Sequence, residues 1–200
     1  PAGNFAVVAT TESKPTRDDS DIMPHYIQED SRIAAKPVRQ RVADAESVNH
    51  ELWLLNLKTG EKSELKYFNL PGYNDDVLAD VKAENAKAKG ETYEVNRLPR
   101  DITLLQSWYW TKPSIRWHKN GNAVAVMLEA WDNKDRWILL LDPSTGELET
   151  LDRQRDEAWI DGPGIGGWGF STGDIGWMPD DKSVWFHSEE TGYSQLYAVN

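Results

Sequence analysis

The sequence predicts an all-β fold of propeller-type blades, each made of four antiparallel strands, with one helical insertion near residues 75–89. Three observations predict it. IRWHKNGNAVAVMLEAW (115–131) and IGWMPDDKSVWFHSEE (175–190) align Trp117 with Trp177 and Val124 with Val184 at a single offset of 60 residues. A second echo pairs LWLLNLKTGE (52–61) with ILLLDPSTGE (138–147); its offset of 86 exceeds 60 by 26, an excess the insertion accounts for. Finally, AVAVML and WILLL are apolar nearly throughout, the pattern of strands covered on both faces. Ten tryptophans, no cysteine and frequent Gly and Pro turns suit such a chain. One blade cannot bury both of its faces alone, so blades stack. About three are expected, near 4–65, 106–156 and 157–200, with 66–105 as the insertion and the last blade cut at Asn200. A closed ring needs at least about four, so the chain reads as part of a propeller.

The elements follow in order. NFAVVATT (4–11) reads as a strand. Residues 12–48, with Pro15, Pro24 and Pro37, read as a long loop carrying short strands over RIAA and PVRQRV. In HELWLLNLKTGEKSEL (50–65) two apolar runs flank Lys58-Thr59-Gly60-Glu61, where glycine supplies the positive φ of a hairpin turn. The helix is expected from about Asp75 to Lys89, capped by Asn74 or Asp75, with Gly90 at its exit. From Gln106 onward each copy ends a short strand on Trp, turns through polar residues, and enters an apolar strand. Alternation in SWYWT assigns two rings of Trp108, Tyr109 and Trp110 to the space between blades.

Composition excludes several functions. The 33 acidic against 22 basic side chains give a net charge of −11, which repels phosphate backbones and argues against nucleic acid as a partner. The basic KPVRQR (36–41) reads as loop charges paired locally. No apolar run approaches the roughly 18 residues of a membrane span, so the sequence reads as soluble. PAGNFAVVATTESK lacks the basic and apolar regions of a secretory leader, although a start at Pro1 leaves room for one removed by processing. The absence of cysteine excludes disulfides and thiolate metal sites without fixing a compartment.

WMPDDKSVWFHSEETGYSQLYAVN (177–200) combines W-x-P-D, an apolar strand and S-E-x-x-G-Y-x-x-L-Y. In this combination it resembles the propeller of the prolyl oligopeptidase and dipeptidyl peptidase family of serine peptidases. IRWHKNGNAVAVMLEAWDNKDRWILLLDPSTGE is similar to the preceding blade, and DIMPHYI, RQRV and ELWLLNLKTGE to earlier blades of bacterial members. The resemblance runs from about Pro24 to Asn200 and is weakest at the helical insertion. It implies an amino-terminal propeller over a carboxy-terminal α/β-hydrolase domain that carries Ser, Asp and His. It also implies short peptides as substrates, an acidic pair that holds the substrate's amino terminus, no cofactor, and a periplasmic or secreted location by analogy.

Candidate chemistry divides as follows. Gly169-Phe170-Ser171-Thr172-Gly173 fits G-x-S-x-G, but a nucleophile elbow needs an apolar strand before the serine and a helix after it. GPGIGGWGF and TGDIGWMPDD supply neither, so Ser171 reads as a loop residue and no catalytic residue is assigned. Glu189-Glu190 and Asp156-Glu157 are paired carboxylates able to bind an ammonium through charge-assisted hydrogen bonds. The first pair falls in an expected hairpin turn, after the W-x-P-D strand, where the family's own pair does not lie. The second precedes Trp177 at a long spacing; all four are substrate-binding candidates. His25, His50, His118 and His187 show no metal-ligand spacing and read as turn or surface residues. Asp132-Asn133-Lys134-Asp135 lacks the Gly and bidentate Glu of a calcium loop and reads as a hairpin turn. GPGIGG (162–167) lacks the G-K-[ST] of a phosphate loop.

The expected function is therefore the non-catalytic, substrate-gating propeller of a serine peptidase. The alternative is a non-enzymatic propeller of the TolB type serving as a protein-binding platform. A sugar-cleaving propeller lyase would need a histidine cluster that the sequence lacks.

Overall fold

The computed structural model describes residues 3–12, 21–38, 46–105, 114–160 and 174–200. Its elements are β1 (Phe5–Thr10), β2 (Asp21–His25), β3 (Ala34–Val38), β4 (Glu51–Asn56), β5 (Lys62–Leu65), α1 (Ala79–Ala88) and β6 (Ile102–Leu104). They continue with β7 (Ile115–Trp117), β8 (Val124–Ala130), β9 (Asp135–Leu141), β10 (Leu148–Arg155), β11 (Ile175–Trp177), β12 (Val184–Ser188) and β13 (Gln195–Val199). The fold is all-β, and among the described residues every pairing is antiparallel.

Three sheets follow one another along the chain: β1-β4-β5, then β10-β9-β8 with β6 and β7, then β11-β12-β13. In the central sheet β6 and β7 lie end to end along β8, against residues 128–130 and 124–126 respectively. The sheet is therefore four strands wide. The 60-residue repeat is structural: Trp117 pairs with Val124, and Trp177 with Val184. The turns match as well, through His118 N–H to the Ala123 carbonyl (2.9 Å) and Met178 N–H to the Ser183 carbonyl (2.8 Å).

The 86-residue echo is equally literal. Gly60 N–H donates to the Asn56 carbonyl and Gly146 N–H to the Asp142 carbonyl, each at 2.8 Å. Both glycines have positive φ, 75° and 77°, the left-handed conformation these turns require.

The central sheet is buried on both faces because its residues alternate between two neighbours. Val124, Val126, Leu128, Trp137, Leu139 and Leu141 pack with Leu52, Leu54 and Leu65 of the first sheet. Ala125, Met127 and Ile138 pack with Ile175, Val184 and Phe186 of the third. The two outer sheets are locked to the central one at a few polar points. Trp177 Nε1 donates to the Arg116 carbonyl (2.9 Å), and His118 stands edge-on to Trp177 with centroids 4.9 Å apart.

Several expectations need refinement. Among the described residues of 12–48 the strands are β2 and β3, which form a two-stranded hairpin that includes Pro24 and Pro37; RIAA is met only from Ala34, and most of PVRQRV lies outside the described residues. The helix is shorter than expected, and neither Asn74 nor Asp75 caps it: Leu78 occupies the cap without a side-chain bond. The first-turn carboxylates have other partners. Asp75 lies near Arg97 and Arg153, while Asp76 accepts from Lys82 Nζ at 2.6 Å and from the Tyr93 hydroxyl. Gly90 ends the helix as expected, at φ 76°. Ile102–Leu104, the end of the stretch read as an insertion, belongs to the central sheet. Trp108, Tyr109, Trp110, the GPGIGG loop, Ser171 and Arg39–Arg41 lie outside the described residues.

Candidate functional site

The site is made by an irregularity in β10. Thr150 is opposite Leu139 but Asp152 is opposite Ile138, so a bulge at Leu151 shifts the register by one residue. Directly opposed residues share a face of an antiparallel pair. Leu148 and Thr150 thus face the first sheet, while Asp152 and Gln154 turn, with Ile138, toward the third. Arg153 and Arg155 take the face that Asp152 and Gln154 would otherwise occupy.

That exchange creates two polar clusters back to back. On the first-sheet side, fully buried Asp135 accepts from Arg100 Nη1 (2.6 Å), Arg153 Nε (2.6 Å) and Arg155 Nη1 (2.8 Å). Burial works against the Arg100 cation, but the carboxylates of Asp132 and Asp135 outweigh it and raise its pKa above the ordinary value. The Asp132–Asp135 stretch is the expected β8–β9 hairpin turn, with Asn133 at φ 58°. Its closing aspartate anchors the three arginines.

Beside it a cleft of about 360 Å³ opens between the end of β10 and the β12–β13 turn; Asp152, Gln154, Asp156, Trp159, Glu189 and Glu190 line it together with Arg153 and Arg155, which border both clusters. Gln154 fastens the two walls: its Nε2 donates to the His187 carbonyl at 2.6 Å. Its Oε1 is buried without a partner. Burial, with Glu190 close by, raises the Asp152 pKa above the usual carboxylate range. Asp156 behaves oppositely. Its Oδ1 accepts the Trp159 and Ala158 N–H groups (2.8 and 2.6 Å), which hold its pKa down.

The fold thus brings three of the four sequence-predicted residues, Asp156, Glu189 and Glu190, into one cleft. Glu157 is not among its lining residues; its Oε1 accepts from Arg155 Nη2 at 3.0 Å. Glu189 and Glu190 sit in the expected hairpin turn, closed by Gly192 N–H on the Glu189 carbonyl (2.8 Å). Among the described residues neither carboxylate has an ion-pair partner. Asp152 and Gln154 carried no sequence signal, since LETLDRQR has nothing to mark the bulge. With Arg153 and Arg155 engaged by Asp135, the four carboxylates and the exposed Trp159 ring suit an organic cation, which acids hold by charge and an aromatic face by cation–π attraction. Among the described residues no group of three or more His, Asp or Glu side chains is placed to hold a metal ion.

The histidines are more integrated than the sequence suggested. His118 occupies its turn but is 8 % exposed, with Nδ1 accepting from Asn120 N–H at 3.2 Å. His50 is half-buried at a joint between sheets.

No family model matches the chain, and no curated protein does. Solved structures do. Dipeptidyl peptidase 4 of Porphyromonas gingivalis matches over 98 % of this chain and 21 % of its own, with a TM-score of 0.54 and 13 % identity. The fold is similar to that of dipeptidyl peptidase 4. A Bacteroides ovatus protein provisionally described as a dipeptidyl aminopeptidase IV also covers 98 % of this chain and 21 % of its own, at a TM-score of 0.49 and 15 % identity. An oligogalacturonate lyase in complex with manganese reaches a TM-score of only 0.23 at 16 % identity, over 77 % of this chain and 55 % of that one, and carries no argument. The chain spans about a fifth of the length of the two peptidase structures it matches. Among the described residues no helix is long and apolar enough to cross a membrane.

Proposed function

We propose that these residues form the propeller part of a serine peptidase acting on short peptides, with the catalytic hydrolase domain outside the 200 residues. The observation that carries this reading is the likeness of the consecutive antiparallel sheets to dipeptidyl peptidase 4 over 98 % of the chain. In this reading the sheets contribute walls that restrict access to the catalytic centre. The cleft of Asp152, Asp156, Glu189 and Glu190 receives the ammonium group of a peptide's amino terminus. Charge supports the second part: four carboxylates line the cleft against two guanidinium groups, Arg153 and Arg155, and both of those donate to Asp135, while Glu189 and Glu190 form no ion pair among the described residues.

Fluorophosphonate labelling of the full-length protein, followed by peptide mapping, tests the reading. The expected label falls on a serine outside residues 1–200. Absence of label would favour the non-enzymatic binding propeller, and label on Ser171 would make the glycine-rich loop a nucleophile elbow.

A further inference from the structure

Strand β6 has two edges in use. Thr103 and Leu105 face β8, with Leu105 N–H donating to the Met127 carbonyl. On the other edge Ile102 and Leu104 meet the two residues that precede β4. Asn49 Oδ1 accepts from Ile102 N–H (2.9 Å), His50 N–H donates to the Ile102 carbonyl (2.7 Å), and His50 Nδ1 accepts from Leu104 N–H (2.9 Å). The Tyr67 hydroxyl donates to the His50 carbonyl at 2.8 Å. His50 is therefore the joint between the first and central sheets.

A ring nitrogen that accepts a hydrogen bond carries no proton. Leu104 N–H cannot turn to another acceptor, because Ile102 and Leu104 are buried in the core, at 0 % and 4 % exposure, and their strand is fixed along β8. Protonation of Nδ1 would set one N–H against another and leave a buried donor unsatisfied.

We propose that the seam between the first and central sheets is a proton-sensitive joint, closed when His50 is neutral and released when it is protonated. Around it stand Glu51 beside His50 on β4, Asp101 ahead of β6, Glu12 after β1 and Tyr67 after β5. Glu12, Asn49, Glu51 and Asp101 line an adjoining cleft of about 500 Å³. These carboxylates favour the imidazolium; burial opposes it and sets the direction, lowering the His50 pKa. A folded-state value below the ordinary one, about 6.5, fixes the sign. The joint contributes its full stability above that value and loses it as pH falls from there through the lowered folded pKa.

Backbone amide exchange of the protein, read by NMR at pH 7.5 and 5.0 and corrected for intrinsic rates, tests this. The protection of Leu104 is expected to fall at least tenfold at the lower pH, while Leu139 in β9 keeps its own. The His50→Gln variant, which retains an acceptor and cannot titrate, is expected to show no pH dependence at Leu104. Independently of any variant, long-range ¹⁵N spectra of His50 at pH 7.5 should show the proton on Nε2. Equal Leu104 protection at both pH values, a persisting drop in His50→Gln, or a protonated Nδ1 at pH 7.5 would each overturn the joint.

Discussion

Asp135 and Asp152 lie on neighbouring strands and face opposite sides of one sheet, and their surroundings make them opposites chemically. Asp135 is fully buried but compensated by three guanidinium groups, so its charge is satisfied where it stands. Asp152 is partly buried with Glu190 as its charged neighbour, and both burial and that neighbour raise its pKa. The sign follows: a carboxyl with a raised folded-state pKa lowers stability as pH rises through it, because the unfolded chain surrenders the proton more readily. Asp152→Asn is therefore expected to be more stable than wild type at pH 7.5, with the gain shrinking toward pH 4. Urea midpoints of both proteins at the two pH values check this. Under the ammonium-binding reading, the same variant weakens binding of peptides with a free amino terminus while leaving amino-acetylated ones unaffected. A residue that costs stability and supports binding is the expected form of a functional site. A gain that persists unchanged at pH 4 would show that the Asp152 charge is not the cause.

Among elements, the hairpins β4–β5 and β9–β10 invite a paired test. Gly60 and Gly146 occupy the same position in the same turn, at φ 75° and 77°. A Cβ on Gly60 meets nothing within 4 Å, and one on Gly146 meets Leu65 no closer than 3.8 Å. Backbone strain alone then decides the cost, and Gly→Ala at either site should lose about 1–2 kcal/mol. Denaturant unfolding of the two variants should give matching losses; a large mismatch would break the structural equivalence. These turns were legible in the sequence because their chemistry is local: Asn56 and Asp142 accept from the N–H groups of Lys58 and Ser144 two residues on. The two-sided burial of β8 and β9 was legible for the same reason, from composition alone. The bulge at Leu151 was not, since the register of β10 is set by its partner strand and no residue in LETLDRQR announces it. So Glu189, Glu190 and Asp156 could be singled out as acids, whereas Asp152 and Gln154 could not be placed with them. The helix cap was missed for a similar reason, because Asp75 and Asp76 have partners far along the chain.

At the scale of the whole molecule, the repeat offsets and the contacts describe the same excursion. Arg100 N–H donates to the Tyr73 carbonyl at 3.0 Å, which closes the base of a loop running over residues 74–99. Those residues number 26, the excess of the second repeat offset over the first. The helix they contain buries no residue. Toward the sheets the loop extends Asp75 to Arg153 at 3.5 Å, a partly exposed pair, of a kind worth at most about 1 kcal/mol. Shortening a loop recovers closure entropy, roughly 0.6 kcal/mol per halving, or about 1.7 kcal/mol from 26 residues to four, which exceeds what the pair contributes. Replacing 74–99 by a four-residue turn should keep a single cooperative unfolding transition, with stability raised by about 1–2 kcal/mol. It should also leave the β8 and β9 amides as protected as before, because Tyr73, Arg100 and the Asp135 cluster remain. A loss of several kcal/mol, or a second transition, would mean that 74–99 braces the sheets rather than projecting from them. The 60-residue repeat would then not be the unit from which the molecule is built.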